Sequence, residues 1–235
     1  GLGKGSLTGT SYRQSSINRW NLPPSEEGRE SIVLHSTKDS LNGFCPLFIG
    51  AERSIKYKKI QGMTREPTRD EQVSNYTSMG TRSLYSETSH NQQRDIKQWL
   101  VNRYFMIDKE WAAEERENWN HMIQYLPTLA PFDSDFSYVR TGKELEPVFS
   151  LYGQECYLEE LSAGFQAILF IIANIFEWVE GTRPEGERLV SQASGTVLID
   201  ELDIHLHPEW QFTLRDGLAN IFPELQFIVT THSPH

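Results

Sequence analysis

The 235-residue sequence is short of several things, and each shortage removes a class of protein. Cysteine occurs only twice, at Cys45 and Cys156, far apart and in no CxxC pair. That argues against a disulfide scaffold or a zinc ribbon and for a reduced cytosolic protein with two buried thiols. Positive charge is also scarce: 22 Lys and Arg against 32 Asp and Glu leave a formal net charge of −10. A general basic footprint for nucleic acid is therefore missing, and only a local patch is left to meet DNA. Long apolar runs are lacking too. The most apolar stretch, "AILFIIANIF", falls well short of the ~20 residues of a membrane span, and the N-terminus has no charged-then-apolar signal pattern. The chain reads as soluble and cytoplasmic, with no membrane partner. Lastly, no GxxxxGK[ST] phosphate loop occurs. "GLGKGS" at the N-terminus has the right composition, but Lys4 is followed by Gly5 and no strand precedes it, so it is a decoy.

What is present is organised. "FCPLFIGAERS" reads as a short buried strand closed by Gly50 and a Glu52-Arg53 pair. That pair either contacts a ligand or neighbouring loop or is an ordinary surface ion pair. From Gln61 to Gln93 there are almost no aliphatics, which suggests a mobile loop. Between Asp95 and Leu126 the residues Ile96, Trp99, Leu100, Tyr104, Trp111, Trp119, Met122 and Ile123 recur at helical spacing. Core packing explains that aromatic stripe without a ligand. "EPVFSLYG" reads as a strand. "LSAGFQAILFIIANIFEWV" reads as a helix with Ser162 at its N-cap and apolar residues on more than one side. Domain boundaries follow: residues 1–60 as part of one core, 61–135 as a mobile loop and an inserted helical arm, and 136–235 as the rest of the core.

The most informative stretch is "GTVLIDELDIHLHPEWQ". A strand, "TVLI", ends in two adjacent acids. Pro208 then suits the first position of a helix carrying Trp210, Leu214, Leu218 and Ile221, and "LQFIVTTHS" returns as a strand. In such a βαβ unit the strands are parallel and share a carboxyl-terminal edge, where open α/β sheets bind ligands. Asp200 and Glu201 end one strand; Thr231, His232 and Ser233 end the other. Adjacent carboxylates are useful when one holds a metal and the other moves a proton. Asp200 suits Mg²⁺, Glu201 suits a general base for an attacking water, and His232 suits a hydrogen bond to a phosphoryl group.

These residues carry a resemblance. "TVLIDELD" looks like a Walker B strand with its catalytic Glu, "IVTTHS" looks like a histidine switch loop, and "LSAG" with Gln166 resembles the ABC-type signature. The order and separations match, and the version here is most similar to the OLD, RecF and SMC-like (AAA_21-like) branch, including ATPases of bacterial anti-phage systems such as Septu and retrons. The resemblance implies an α/β P-loop NTPase head of ABC type, with a mostly parallel sheet and an inserted helical arm, incomplete in this chain because its phosphate loop lies upstream. It implies ATP and Mg²⁺ as cofactors. It also implies a head-to-tail homodimer in which Ser162, Ala163, Gly164 and Gln166 of one subunit close over nucleotide held by the other. The Ser162 hydroxyl and the amides of a helix N-terminus would meet the γ-phosphate. The activity implied is ATP hydrolysis driving or gating a DNA-related task in anti-phage defence or DNA repair, with a nuclease or other effector and DNA as candidate partners. One departure stands out: the aspartate of the usual D-loop falls on His207.

Two competing readings are kept. A metallohydrolase would use Asp203, His205 and His207, since HxH can hold a transition metal; Pro208, Glu209 and Trp210 add no further ligand. A slow ATP-gated clamp would regulate a partner effector through binding alone.

Overall fold

The structure, a computed structural model, describes residues 45–82, 95–206 and 208–232. The decoy glycine-rich N-terminus, His207 and Ser233 lie outside them. The chain divides into two compact units, one made of Gly1–Cys45 with Tyr76–Gln93 and the other of Pro46–Asn75 with Arg94–His235. The second carries both sheets and every candidate site residue.

Its strands form two three-stranded sheets. One is parallel, in the order β1 (Leu47–Ile49), β5 (Gly195–Ile199), β6 (Leu225–Val229). The register sets Leu47 beside Val197 and Gly195 beside Leu225, so the three strands end together at Ile49, Ile199 and Val229. The helix α5 (Pro208–Ile221) joins β5 to β6, and it buries Leu214, Leu218 and Ile221. The expected βαβ unit is therefore in place, in a mixed α/β architecture. "EPVFSLYG" joins a second, antiparallel sheet of β2 (Ser137–Thr141), β3 (Pro147–Leu151) and β4 (Gln154–Tyr157).

Between Asp95 and Leu126 two helices form, α2 (Ile96–Met106), capped by the Asp95 carboxylate on the Gln98 amide, and α3 (Ala113–Tyr125). Their tryptophans Trp99 and Trp119 lie 6.5 Å apart, and Trp99 lies 6.3 Å from Phe176 on α4 (Ala163–Thr182). Trp99 and Trp119 are core packing, whereas Tyr104 and Trp111 of the same stripe are 38% and 64% exposed. All its residues from Gly164 to Phe176 being buried, α4 is enclosed on every side along that stretch. By length and composition α4 is the one described helix that passes as a membrane span, yet 83% of that window is buried inside the protein. It is a core helix.

Two expectations are corrected. The segment expected to be a mobile loop from Gln61 carries the helix α1 (Arg69–Arg82). A capping box starts it: the Thr68 hydroxyl accepts from the Glu71 amide at 3.4 Å, and the Glu71 carboxylate accepts from the Thr68 amide at 2.7 Å. Local capping supplies what aliphatic periodicity does not. The two thiols are half-buried, not buried.

A buried ion pair ties α2 to α4. Arg103 donates through Nε and Nη2 to Glu180 at 2.8 and 2.6 Å, Asn118 of α3 donates to the same carboxylate at 3.0 Å, and Arg103 Nη1 reaches Glu66 at 2.6 Å. Truncating Glu180 would strip Arg103 Nε and Nη2 of their carboxylate inside the core, with only Nη1 still paired, to Glu66. Glu180→Ala is expected to destabilise the full-length protein by about 3–5 kcal/mol, read as a lower urea midpoint. A loss under about 1 kcal/mol would show that the group relaxes toward Glu66 or water.

Candidate functional site

The site begins with backbone. Just past the strand ends, the Asp200 amide donates to the Ile49 carbonyl (2.9 Å), the Thr230 amide to Ile199 (3.0 Å) and the Leu202 amide to Thr230 (2.9 Å). Three strand termini are thereby locked in one plane. From Glu201 to His205 the chain makes a run of turns. Glu201 and His205 take left-handed conformations, with φ of 50° and 65°. Non-glycine residues rarely adopt this region, and such outliers collect where side chains must be aimed.

Side chains complete the cluster. Thr230 Oγ1 donates to Asp200 Oδ1 at 2.6 Å and accepts from the Glu201 amide at 2.7 Å. His232 Nε2 lies 3.3 Å from Glu201 Oε1, and the His232 amide donates to Asp203 Oδ1 at 3.3 Å. Partial burial pushes the Asp203 carboxyl up, but bonds from Thr231 and from the Asp203 and His232 amides, with the His232 charge, win and hold it below the usual carboxylate range. The expected trio of Asp200, Glu201 and His232 is brought together at the carboxyl edge of the parallel sheet. The His232 side chain is 84% exposed and that of Glu201 34%, so both can reach an incoming molecule.

Arg53, left open between two roles in the sequence, is neither on the surface nor in a surface pair. It is only 2% exposed. Its Nε donates to the Gly50 carbonyl at 3.0 Å and its Nη2 to the Asp200 carbonyl. Burial pulls its pKa down to about 10, with the carboxylates of Asp200, Glu201 and Asp203 pulling the other way. Arg53 thus takes the neighbouring-loop contact that the sequence left open, and Thr230 is the site residue that sequence reasoning missed. The doubled threonine before His232 was the available signal.

The signature splits in two. Ser162 occupies the N-cap of α4 without a side-chain capping bond, and both it and Ala163 are exposed. Gly164 and Gln166 are engaged inside the chain. A Cβ on Gly164 would lie 2.7 Å from Trp210 Cζ3 and 3.1 Å from the His205 carbonyl, so the glycine is needed for the fold itself. Trp210 also packs edge-on against Phe165, with centroids 4.5 Å apart. This explains the tryptophan of "HPEW": it joins the start of α5 to the start of α4. Gln166 accepts from the Ile55 amide (3.1 Å) and donates to the carbonyls of Glu159 (3.1 Å) and Leu161 (2.9 Å).

For a divalent cation the donors are oxygens. Asp200 Oδ1 is bonded to Thr230, and its other carboxylate oxygen is left for a cation. That fits Mg²⁺, which uses one or two carboxylates and keeps its waters. Among the described residues no three His, Cys, Asp or Glu side chains converge as a metal cage, and Asp203 is engaged by His232.

Residues 66–235 match the AAA_21 family, described as "AAA domain, putative AbiEii toxin, Type IV TA system". The chain belongs to the AAA_21 family. Its relatives agree with the resemblance drawn from the motifs. Septu protein PtuA of Bacillus thuringiensis is 30% identical over 190 residues, which cover 79% of this chain and 45% of that protein. The Retron Vc95 probable ATPase of Vibrio cholerae serotype O1 biovar El Tor is 27% identical over 186 residues, 78% of this chain and 32% of that protein. The Retron Ec83 probable ATPase of Escherichia coli is 44% identical over 75 residues, 32% of this chain and 14% of that protein. This AAA_21 chain thus spans less than half the length of these curated relatives.

Proposed function

We propose that this AAA_21 chain forms part of a cytoplasmic ATPase head that hydrolyses ATP as a head-to-tail dimer in anti-phage defence, gating a nuclease or other effector. The convergence of Asp200, Glu201 and His232 at the carboxyl edge of a parallel sheet is the observation that carries the reading. The reading requires a phosphate loop, and no GxxxxGK[ST] occurs in these 235 residues.

In this reading Glu201 takes the proton of the attacking water. Its left-handed backbone turns the carboxylate toward His232, and the 3.3 Å contact holds it there. His232, largely exposed, can leave that contact and donate to the transferred phosphoryl group as charge develops on it. Asp200, anchored through Thr230, would hold Mg²⁺, which when bound neutralises phosphate charge. Ser162 and Ala163 present the exposed N-terminus of α4 to the partner's nucleotide. DNA is a candidate regulator through a local patch only.

The test is ATP turnover by the full-length protein. Hydrolysis is expected with Mg²⁺, and Asp200→Ala should lower it by ~10²-fold or more. Activity that instead tracks stoichiometric zinc, and is lost on changing His205 and His207, would favour the metallohydrolase reading. Tight ATP binding with no turnover would favour the gated clamp.

A further inference from the structure

We propose that Arg53 is a positioning residue for this hydrolysis, holding the Asp200–Glu201 peptide plane that aims the general base. The inference rests on the ATPase reading above. It starts from the strained geometry of that one peptide. Glu201 adopts φ 50°, and the peptide before it must be turned to suit. The peptide is gripped at both ends: its carbonyl, on Asp200, accepts from Arg53 Nη2, and its N–H, on Glu201, donates to Thr230 Oγ1 at 2.7 Å. A strained conformation persists only where the surroundings over-determine it, and here two bonds from two other strand ends do so.

The choice of arginine follows from the same geometry. The guanidinium spans two carbonyls, Gly50 at the end of β1 through Nε and Asp200 at the end of β5 through Nη2, so one rigid planar group ties two strand termini. A lysine keeps the charge but cannot present two donors in a fixed plane. The carboxylates of Asp200, Glu201 and Asp203 attract the buried cation. Nη1 is buried with no hydrogen-bond partner among the described residues. Arg53 does not touch the reacting atoms in this scheme; it acts through Glu201.

The experiment is a double-mutant cycle in the full-length protein, with kcat, ATP Kd and the thermal midpoint measured for wild type, Arg53→Lys, Glu201→Gln and the double variant. Arg53→Lys is expected to lower kcat by ~10-fold or more while Kd stays within ~3-fold and the midpoint holds. In the Glu201→Gln background the same change should cost less than ~2-fold, because the residue it positions no longer acts as a base. Equal losses in both backgrounds would overturn the proposal, as would an unchanged kcat, or a kcat that falls only in step with Kd and the midpoint. Should Arg53→Lys fail to fold, Arg53→Gln, which keeps one donor amide, is judged by the same criteria. Two failures are distinguishable. If wild type turns over no ATP, the ATPase reading falls and the positioning role falls with it. If wild type is active and Glu201→Gln is slow but Arg53→Lys is not, only the positioning role falls.

Discussion

Glu201→Gln in the full-length protein is expected to slow ATP hydrolysis by ~10²-fold or more while leaving ATP binding intact. The amide is nearly isosteric with the carboxylate, so it keeps a carbonyl oxygen for the His232 Nε2 contact at 3.3 Å. The Glu201 amide still bonds to Thr230 Oγ1, and the backbone stays in place. What is lost is a basic oxygen able to take a proton. Binding and chemistry therefore separate, and if the heads close around ATP before hydrolysis the variant should accumulate as an ATP-trapped dimer, visible by light scattering. Unchanged turnover would remove Glu201 from the role of base. A fall in binding as large as the fall in rate would mean that the carboxylate organises the site but does not react.

The βαβ unit was legible because its signals are local and regular. "TVLI" and "LQFIV" are short β-rich runs, Trp210 to Ile221 repeats at helical spacing, and the acids and the "TTHS" fall at the strand ends, which the parallel register gathers at one edge. The helix α4 was legible from the density of its apolar residues. Three features were not, each for its own reason. The helix α1 has almost no aliphatics, so a periodicity search passes it by; its signal is the Thr68-x-x-Glu71 capping box, which acts within four residues. Arg53 follows Glu52 after an apolar strand, a pattern shared by countless surface ion pairs. Its burial depends on β1 lying beside β5, a pairing between segments distant in sequence. Gly164 matched a nucleotide signature, and its packing partner Trp210 sits on another helix. Contacts that decide a role across distant segments leave little trace in either segment alone.

The glycine contact changes how the dimer must be tested. Substituting Gly164 looks from the sequence like a clean way to damage the signature, on the expectation that the buried helix behind it would be undisturbed. The fold overturns that expectation: the added Cβ alone would lie 2.7 Å from Trp210 Cζ3 and 3.1 Å from the His205 carbonyl. Gly164→Arg should therefore cost about 1–3 kcal/mol or more in overpacking and separate α5 from α4, confounding loss of activity with loss of structure. Ser162 is the better position. It is exposed at the N-cap, and its side chain makes no capping bond whose loss would weaken α4. A long side chain there would occupy the space in front of the helix N-terminus and block approach of a phosphate. Ser162→Arg is expected to lower hydrolysis by ~10²-fold with the thermal midpoint unchanged, while Gly164→Arg lowers both. Mixing then separates a composite site from a self-contained one. If the signature and phosphate loop of one site come from different subunits, a heterodimer of Ser162→Arg with a phosphate-loop Lys variant has one site carrying both lesions and one carrying neither. Activity should partly return on mixing, as long as one site can fire alone. If Ser162→Arg hydrolyses ATP at the wild-type rate, the N-terminus of α4 does not meet nucleotide, and the head-to-tail arrangement loses its main support.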